Sequence, residues 1–327
     1  MKISRELFLA EMRSDAPLLE LWARESVQLI SRMIEAEIGS DRFREFFKME
    51  PSFRLKSEDS ALKKYDRWES LESAREMHDL AGARFVVLLR TDLKIIEDVV
   101  KGFSGWSTLR ARHFEYEVDD DPEVFDYQSI HLLIKGSRGA TINGHTLTDD
   151  VTCELQIRTL MQHAYAELCH DKIYKNFRAI PVSAKRLVAR SMALMETTDS
   201  IFCETAKELE EVAASRQRWL KYLAEVYGQA IQQSAPSDDS VCPVVFDTFK
   251  HLLESVTLSD VAAAVESPVV RERMAGRLED KLFGSPGCVL AYWLVEHHFN
   301  ETKRAWPDES LLPGLRHVCA DLGVSFE

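Results

Sequence analysis

The chain has 327 residues, of which 45% are hydrophobic and 29% charged, and its formal net charge is -13. These values belong to an ordinary folded chain, and no apolar run approaches the roughly 20 residues that a membrane helix needs. The negative balance excludes whole-surface attraction to nucleic acid or to an anionic membrane, so any phosphate site has to be a local basic pocket.

Single cores stop growing near roughly 250 residues, so two domains are expected. Met1-Lys2-Ile3-Ser4-Arg5-Glu6 lacks the apolar stretch of a signal peptide, which points to the cytoplasm. The six cysteines, Cys153, Cys169, Cys203, Cys242, Cys288 and Cys319, are scattered without a C-x-x-C pair. They are expected to be reduced and mostly buried.

From Ala16 to Phe47 apolar residues recur at helical spacing, with Pro17 in the first turn. Pro51 is expected to end this helical region. Phe53-Arg54-Leu55-Lys56 reads as a short strand, and Ser57 as an N-cap opening a helix that runs to about His78. Arg54, Lys56, Ser60, Lys63 and Lys64 crowd this cap. Such a cluster can hold a polyphosphate together with backbone N–H groups, or can be a solvated basic face. The chain contains neither a Walker G-x-x-x-x-G-K-[ST] nor a G-x-G-x-x-G.

Asp79 follows at a helix-to-strand turn, Gly82 permits a tight backbone there, and Arg84 begins a buried apolar strand. Asp92 is expected to cap a helix through Gly102, and Thr108 to Val118 reads as a further strand. After the acidic loop 119–123, period-two alternation places Tyr127, Ser129 and His131 on one strand face. The same period in Val151-Thr152-Cys153-Glu154-Leu155-Gln156-Ile157-Arg158-Thr159 sets Glu154, Gln156 and Arg158 on one face, and Cys153, Leu155 and Ile157 in a core. One or two carboxylates are the usual protein contribution to a Mg²⁺ bound to nucleotide phosphates, and Asp79 with Glu154 supplies that number.

Four pieces in order, Arg54-x-Lys56-x-x-x-Ser60-x-x-x-Lys64, Asp79-x-x-Gly82-x-Arg84, Tyr127-Gln128-Ser129-Ile130-His131 and Glu154-Leu155-Gln156-Ile157-Arg158-Thr159, closely resemble the synthetase domain of the RelA/SpoT alarmone synthetases. The tail from Gln162 to Lys175 is similar to the helix that follows the catalytic strand in small single-domain members. The resemblance implies an α+β fold, a nucleotidyltransferase-like mixed β-sheet flanked by helices, that moves the pyrophosphate of ATP to the 3′-hydroxyl of GDP or GTP.

By motif, Asp79 and Glu154 would hold Mg²⁺, and Glu154 would orient or deprotonate the acceptor hydroxyl. Arg54, Lys56 and Lys64 would bind ATP phosphates, Arg84 would contact ATP, and His131 would touch the transferred group. Tyr127 would stack on the acceptor base, with Ser60, Gln156 and Arg158 in support. Phe125-Asp126 stands where the family usually has Asn-Gly, which leaves the acceptor open. Relatives that act on the 3′ end of tRNA or on adenosine nucleotides are the alternative, as is a silent nucleotide-binding module that engages a protein partner.

Lys172, Lys175, Arg178, Lys185, Arg186 and Arg190 could form a stripe for tRNA, or a solvated helix face. The roughly fifty residues ahead of Arg54 are too few for the hydrolase domain of long members, so hydrolysis is not expected. The expected organisation is a synthetase domain over 1–231, a polar linker over 232–240, and a helical C-terminal extension over 241–327. That extension could meet a protein regulator or antitoxin, support an oligomer, or simply brace the fold. Adjacent His297 and His298 are expected to point apart, which argues against a metal pair there.

Overall fold

A computed structural model describes residues 2–113, 129–169 and 181–326. Tyr127, Phe125, Asp126, Lys172, Lys175 and Arg178 lie outside these described residues. The chain divides into two compact units, Met1–Ala206 and Lys207–Glu327.

In the first unit, helix α1 (Arg5–Ile38) begins eleven residues before the expected start, with the Ser4 side chain accepting from the Leu7 N–H at 3.2 Å. Pro17 therefore lies inside the helix rather than in its first turn. Phe8 and Met12 are buried with Leu19, Trp22 and Ile30, so the apolar stripe continues across the proline and tertiary packing outweighs the lost hydrogen bond. Gly39, at φ +81°, breaks the helix before α2 (Ser40–Phe46).

Strand β1 (Phe47–Leu55) runs straight through Pro51, which does not end a helical region. The strand is at the sheet edge, and its register shifts between Phe47 and Met49 and again between Met49 and Ser52, the second shift spanning the proline. An edge strand with bulges is where a residue without an N–H is tolerated. Helix α3 (Glu58–Tyr65) opens on Ser57, whose side chain accepts from the Ser60 N–H at 3.3 Å, but it stops well short of His78. Asp66 takes the C-cap, and the chain then crosses turns and a short 3₁₀ stretch over Ala74–Glu76.

Strand β2 (Ala81–Val87) leads to α4 (Arg90–Gly102), where Asp92 is not the cap. It sits buried in the first turn and accepts from Arg42 at 2.7 Å. Strands β3 (Ser107–His113), β4 (Ile130–Gly136), the small pair β5 (Thr141–Ile142) and β6 (His145–Thr146), and β7 (Val151–Thr159) follow. The main sheet has the order β1-β2-β7-β4-β3, parallel only between β2 and β7. One face packs Phe85, Leu132, Leu155 and Ile157 into the core with α1 and α4. Helix α5 (Leu160–Leu168) leaves β7 directly, and α6 (Val182–Ile231) is a single 50-residue helix.

The second unit is helical: α7 (Val241–Phe249), α8 (Leu258–Ala263), α9 (Pro268–Ala275), α10 (Gly287–Ala305) and α11 (Leu312–Asp321). Cys288 to Val295 of α10 are all buried at its centre. Leu223, Tyr227, Ala230 and Ile231 join the same core, so the unit begins ahead of the polar stretch 232–240 expected as a linker. Helix α10 is kinked at His298 (φ −137°, ψ 36°), and both His297 and His298 lie against the Trp293 ring, at 5.3 and 5.2 Å between centroids, instead of pointing apart. The six cysteines are free thiols. Among the described residues no helix is long and apolar enough to cross a membrane.

Candidate active site

The register of four strands decides which side chains share the open face of the sheet. Arg54, Gly82, Glu154 and Leu133 form one row across β1, β2, β7 and β4. Ser52, Arg84, Gln156 and His131 form the next. Directly opposed residues in a sheet project to the same side, so Arg54, Glu154, Arg84, Gln156 and His131 converge although they are far apart in the sequence.

Gly82 lies between Arg54 and Glu154 and leaves a gap in the first row. Its backbone is not in the left-handed region, and a Cβ there would meet only the Glu154 carbonyl oxygen at 3.6 Å, an ordinary contact. The glycine is thus not required by a tight turn, as the sequence suggested. What its missing side chain provides is open space between a cation and a carboxylate.

At the β2 end of that gap sits Asp79. Its Oδ2 accepts from Lys56 Nζ and Lys64 Nζ, each at 2.8 Å. Lys56 arrives at the end of β1, held by its own N–H on the Leu80 carbonyl at 2.8 Å, and Lys64 comes from the last turn of α3. The other carboxylate oxygen, Oδ1, is buried with no hydrogen-bond partner among the described residues. Burial pushes the Asp79 carboxyl up, but the hydrogen bonds and charges of Lys56 and Lys64 outweigh it and hold it below its ordinary value. An ionised carboxylate with one free buried oxygen is a ready cation ligand.

Glu154 is held by a chain of hydrogen bonds along the face. Arg158 donates to Gln156 Oε1, Gln156 Nε2 donates to Glu154 Oε2 at 3.0 Å, and His131 Nδ1 lies 3.1 Å from Glu154 Oε1. Because the arginine has only donors, the Gln156 oxygen must face it and the amide nitrogen must face Glu154. Burial and the Asp79 charge push the Glu154 carboxyl up. The His131 hydrogen bond and charge, with the Gln156 amide, prevail and leave it below its ordinary value. Arg158, expected on an open face, is buried at 4% exposure.

Arg84 meets Glu167 of α5 at 3.2 Å, and His163 of the same helix is 3.8 Å from that carboxylate. Burial, with the positive charges of Arg158 and Arg84, keeps the His163 imidazole below its ordinary value. A capping box at Thr159 and Gln162 directs this helix: Thr159 Oγ1 accepts from the Gln162 N–H at 3.1 Å while Gln162 Oε1 accepts from the Thr159 N–H at 3.0 Å. Thr159 Oγ1 also donates to the buried Asp199 on α6 at 2.7 Å. Glu167, His163 and Asp199 were not among the expected site residues. The Thr159-x-x-Gln162 spacing at the end of a strand hints at the capped helix, but only the tertiary fold brings its Glu167 to Arg84.

Of the expected residues, the structure brings together Arg54, Lys56, Lys64, Asp79, Arg84, His131, Glu154, Gln156 and Arg158. Ser60 remains at the exposed start of α3, accepting from the Ser57 hydroxyl at 2.9 Å. Past Glu154 on the other side of the row, a cavity of about 250 Å³ is floored by Leu18, Met77, Leu80 and Leu133 and rimmed by His78, Arg75 and Lys135. Arg75 is fixed there by Asp15 at 2.7 Å and Asp149 at 2.6 Å. Cations, two carboxylates, an open gap and an adjoining apolar cavity together suit a polyphosphate ligand lying across the sheet.

Residues 53–179 match the family described as a region found in RelA / SpoT proteins. Two proteins of Bacillus subtilis (strain 168) are similar in sequence. GTP pyrophosphokinase YjbM is 26% identical over 148 residues, 45% of this chain and 66% of that protein. GTP pyrophosphokinase YwaC is 26% identical over 132 residues, 39% of this chain and 59% of that protein. The matched stretch therefore spans less than two thirds of either relative. A crystal structure of the small alarmone synthetase 1 from Bacillus subtilis aligns at 21% identity and a TM-score of 0.49, covering 61% of this chain and 97% of that one. Over residues 53–179, then, the chain carries a RelA/SpoT-type domain.

Proposed function

We propose that this site transfers the β,γ-diphosphate of ATP to the 3′-hydroxyl of GDP or GTP and releases AMP. The observation that carries the reading is the row Arg54–Gly82–Glu154 with Asp79 clamped between Lys56 and Lys64 at its end. The family match over 53–179 and the names of the two Bacillus relatives support the same chemistry.

In this transfer the acceptor O3′–Pβ bond forms, the bridge from Pβ to the AMP oxygen breaks, and AMP leaves with that oxygen. Positioning and charge neutralisation dominate such chemistry. Arg54 and Arg84 flank the gap at Gly82, where the triphosphate fits. Lys56 and Lys64 are poised to exchange Asp79 for phosphate oxygens. A Mg²⁺ ion held by Asp79 Oδ1 and Glu154 would neutralise the diphosphate in flight, and the free buried oxygen fits that role. A carboxylate held below its ordinary value is a weak base, so Glu154 aims the 3′-hydroxyl by accepting its hydrogen bond and takes the proton only as the new O–P bond forms.

Gln156 and Arg158 fix Glu154 for that task, and His131 sits where the moving diphosphate passes. The acceptor base enters from the side of the apolar cavity; Tyr127, which the family resemblance makes its stacking partner, lies outside the described residues. Free thiols and nucleotide substrates fit a cytoplasmic setting. A protein regulator or antitoxin would meet the second, helical unit.

The test incubates the protein and its Glu154→Gln variant with Mg²⁺ and γ-labelled ATP, offering GDP, GTP, ADP or deacylated tRNA. Label in a guanosine nucleotide, lost with the variant, supports the proposal. Label only in tRNA or in the adenosine nucleotide changes the acceptor, and no transfer to any of them leaves a silent binding module.

A further inference from the structure

The carboxylates of Asp79 and Glu154 have four oxygens between them, and the fold has already given donors to three. Asp79 Oδ2 accepts from Lys56 Nζ and Lys64 Nζ, both at 2.8 Å. Glu154 Oε1 faces His131 Nδ1 at 3.1 Å, and Glu154 Oε2 accepts from Gln156 Nε2 at 3.0 Å. Asp79 Oδ1 is the oxygen of the four with no hydrogen-bond partner among the described residues. A divalent ion on that oxygen would share one carboxylate group with two ammonium ions.

Charge decides what such a cluster takes first. One lysine neutralises Asp79, and the second makes the trio net positive. In a half-buried site, where charges are poorly screened, this repels a divalent cation and attracts a polyphosphate. The clamp can also open without moving the backbone. Lys56 is anchored by its N–H on the Leu80 carbonyl and Lys64 by the last turn of α3, but each ammonium ends a flexible stem and is 21% and 38% exposed at its side chain. A triphosphate offers both ammonium groups more oxygens than the single one they leave. Their departure uncovers Asp79 Oδ2 and removes the repulsion, so triphosphate and metal each strengthen the binding of the other, by equal factors. Resting on the reading of this site as an ATP-dependent diphosphate transfer, we infer that Lys56 and Lys64 lock Asp79 against free divalent cations and that the triphosphate of ATP is the key.

Two titrations of the full chain test it, and neither requires turnover. In the first, Mn²⁺ is added without nucleotide and followed by calorimetry and by its electron-spin resonance. Lys56→Met with Lys64→Met is expected to bind Mn²⁺ at least about tenfold more tightly than wild type, a gain that adding Asp79→Asn abolishes. In the second, ATP is titrated in EDTA. Asp79→Asn should bind metal-free ATP at least about fivefold more tightly than wild type, because the lysines no longer have to leave a carboxylate to reach phosphate. A residue serving only as a metal ligand would leave that affinity unchanged. The second titration decides the matter alone if the double lysine variant does not fold. Equal Mn²⁺ affinity in wild type and a folded lysine variant, or metal-free ATP binding unchanged or weakened by Asp79→Asn, overturns the proposal. The transfer reading fails by a different result, the absence of labelled product from wild type with every acceptor.

Discussion

Gln156 donates through Nε2 to Glu154 Oε2 at 3.0 Å, and its own oxygen is occupied by Arg158, so this amide can serve Glu154 only as a donor. Gln156→Glu keeps the Arg158 contact but removes that donor and sets a like charge beside Glu154. A hydrogen bond to a charged group contributes roughly 1.5–3 kcal/mol, which corresponds to about a 10- to 150-fold loss of kcat. The acid limb of the pH–rate profile should move upward, because the Glu154 carboxyl loses part of what holds it low. An unchanged profile would mean that Gln156 does not position Glu154.

Gly82→Ala separates the two explanations for a glycine in the middle of β2. Its Cβ would meet the Glu154 carbonyl at 3.6 Å and nothing nearer, so the fold should tolerate it, with Tm within a few degrees of wild type. The methyl enters the gap between Arg54 and Glu154, and ATP affinity measured by calorimetry should fall at least tenfold. Equal affinity with lowered Tm would mean that the glycine serves the backbone.

The strand that carries Glu154 was legible in the sequence, with the same bounds, because period-two alternation in a half-buried strand directly records which side faces the core. The convergence of Arg54, Arg84, Gln156 and His131 was legible only through family resemblance, since register between distant strands leaves no local trace. Prolines misled at both ends of the first helical region. Pro17 is carried inside α1 by the packing of Phe8 and Met12, and Pro51 is tolerated because β1 is an edge, and neither circumstance is local. Arg158 reads as exposed from alternation, yet it is buried. Burial depends on what covers a strand face, which the strand's own pattern does not record.

Asp79 links stability to pH in metal-free protein. Its carboxyl is held below its ordinary value, so in the native state it stays ionised where the unfolded chain already binds a proton. The stabilisation is present above the ordinary carboxylate range and is lost as pH falls through the lowered native value. Lys56→Met should blunt this dependence, because burial then opposes a weaker pull from Lys64 alone. Urea unfolding in EDTA between about pH 3 and 7 checks it. Wild type should lose stability more steeply on acidification than the variant, and parallel curves would show that Lys56 does not control Asp79.

Asp199 behaves in the opposite sense. Burial raises its carboxyl, partly offset by the Thr159 hydroxyl that donates to it at 2.7 Å, and its other oxygen has no hydrogen-bond partner among the described residues. A group whose native value lies above the unfolded one contributes stability below the unfolded value, and loses it as pH rises through the native value. At neutral pH the ionised carboxylate is therefore a cost. Asp199→Asn retains an oxygen for the Thr159 hydroxyl and removes the charge, so at pH 7 it should be as stable as wild type or more so, by up to about 1 kcal/mol. Thr159→Val should act the other way. It removes the α5 cap and leaves Asp199 buried without its donor, for a loss of about 2 kcal/mol or more. Because α5 carries Glu167 to Arg84, the same variant should also lower ATP affinity, whereas Asp199→Asn should not. Denaturant melts and ATP titrations of the two variants side by side decide it, and a destabilised Asp199→Asn at pH 7 would refute the sign of this argument.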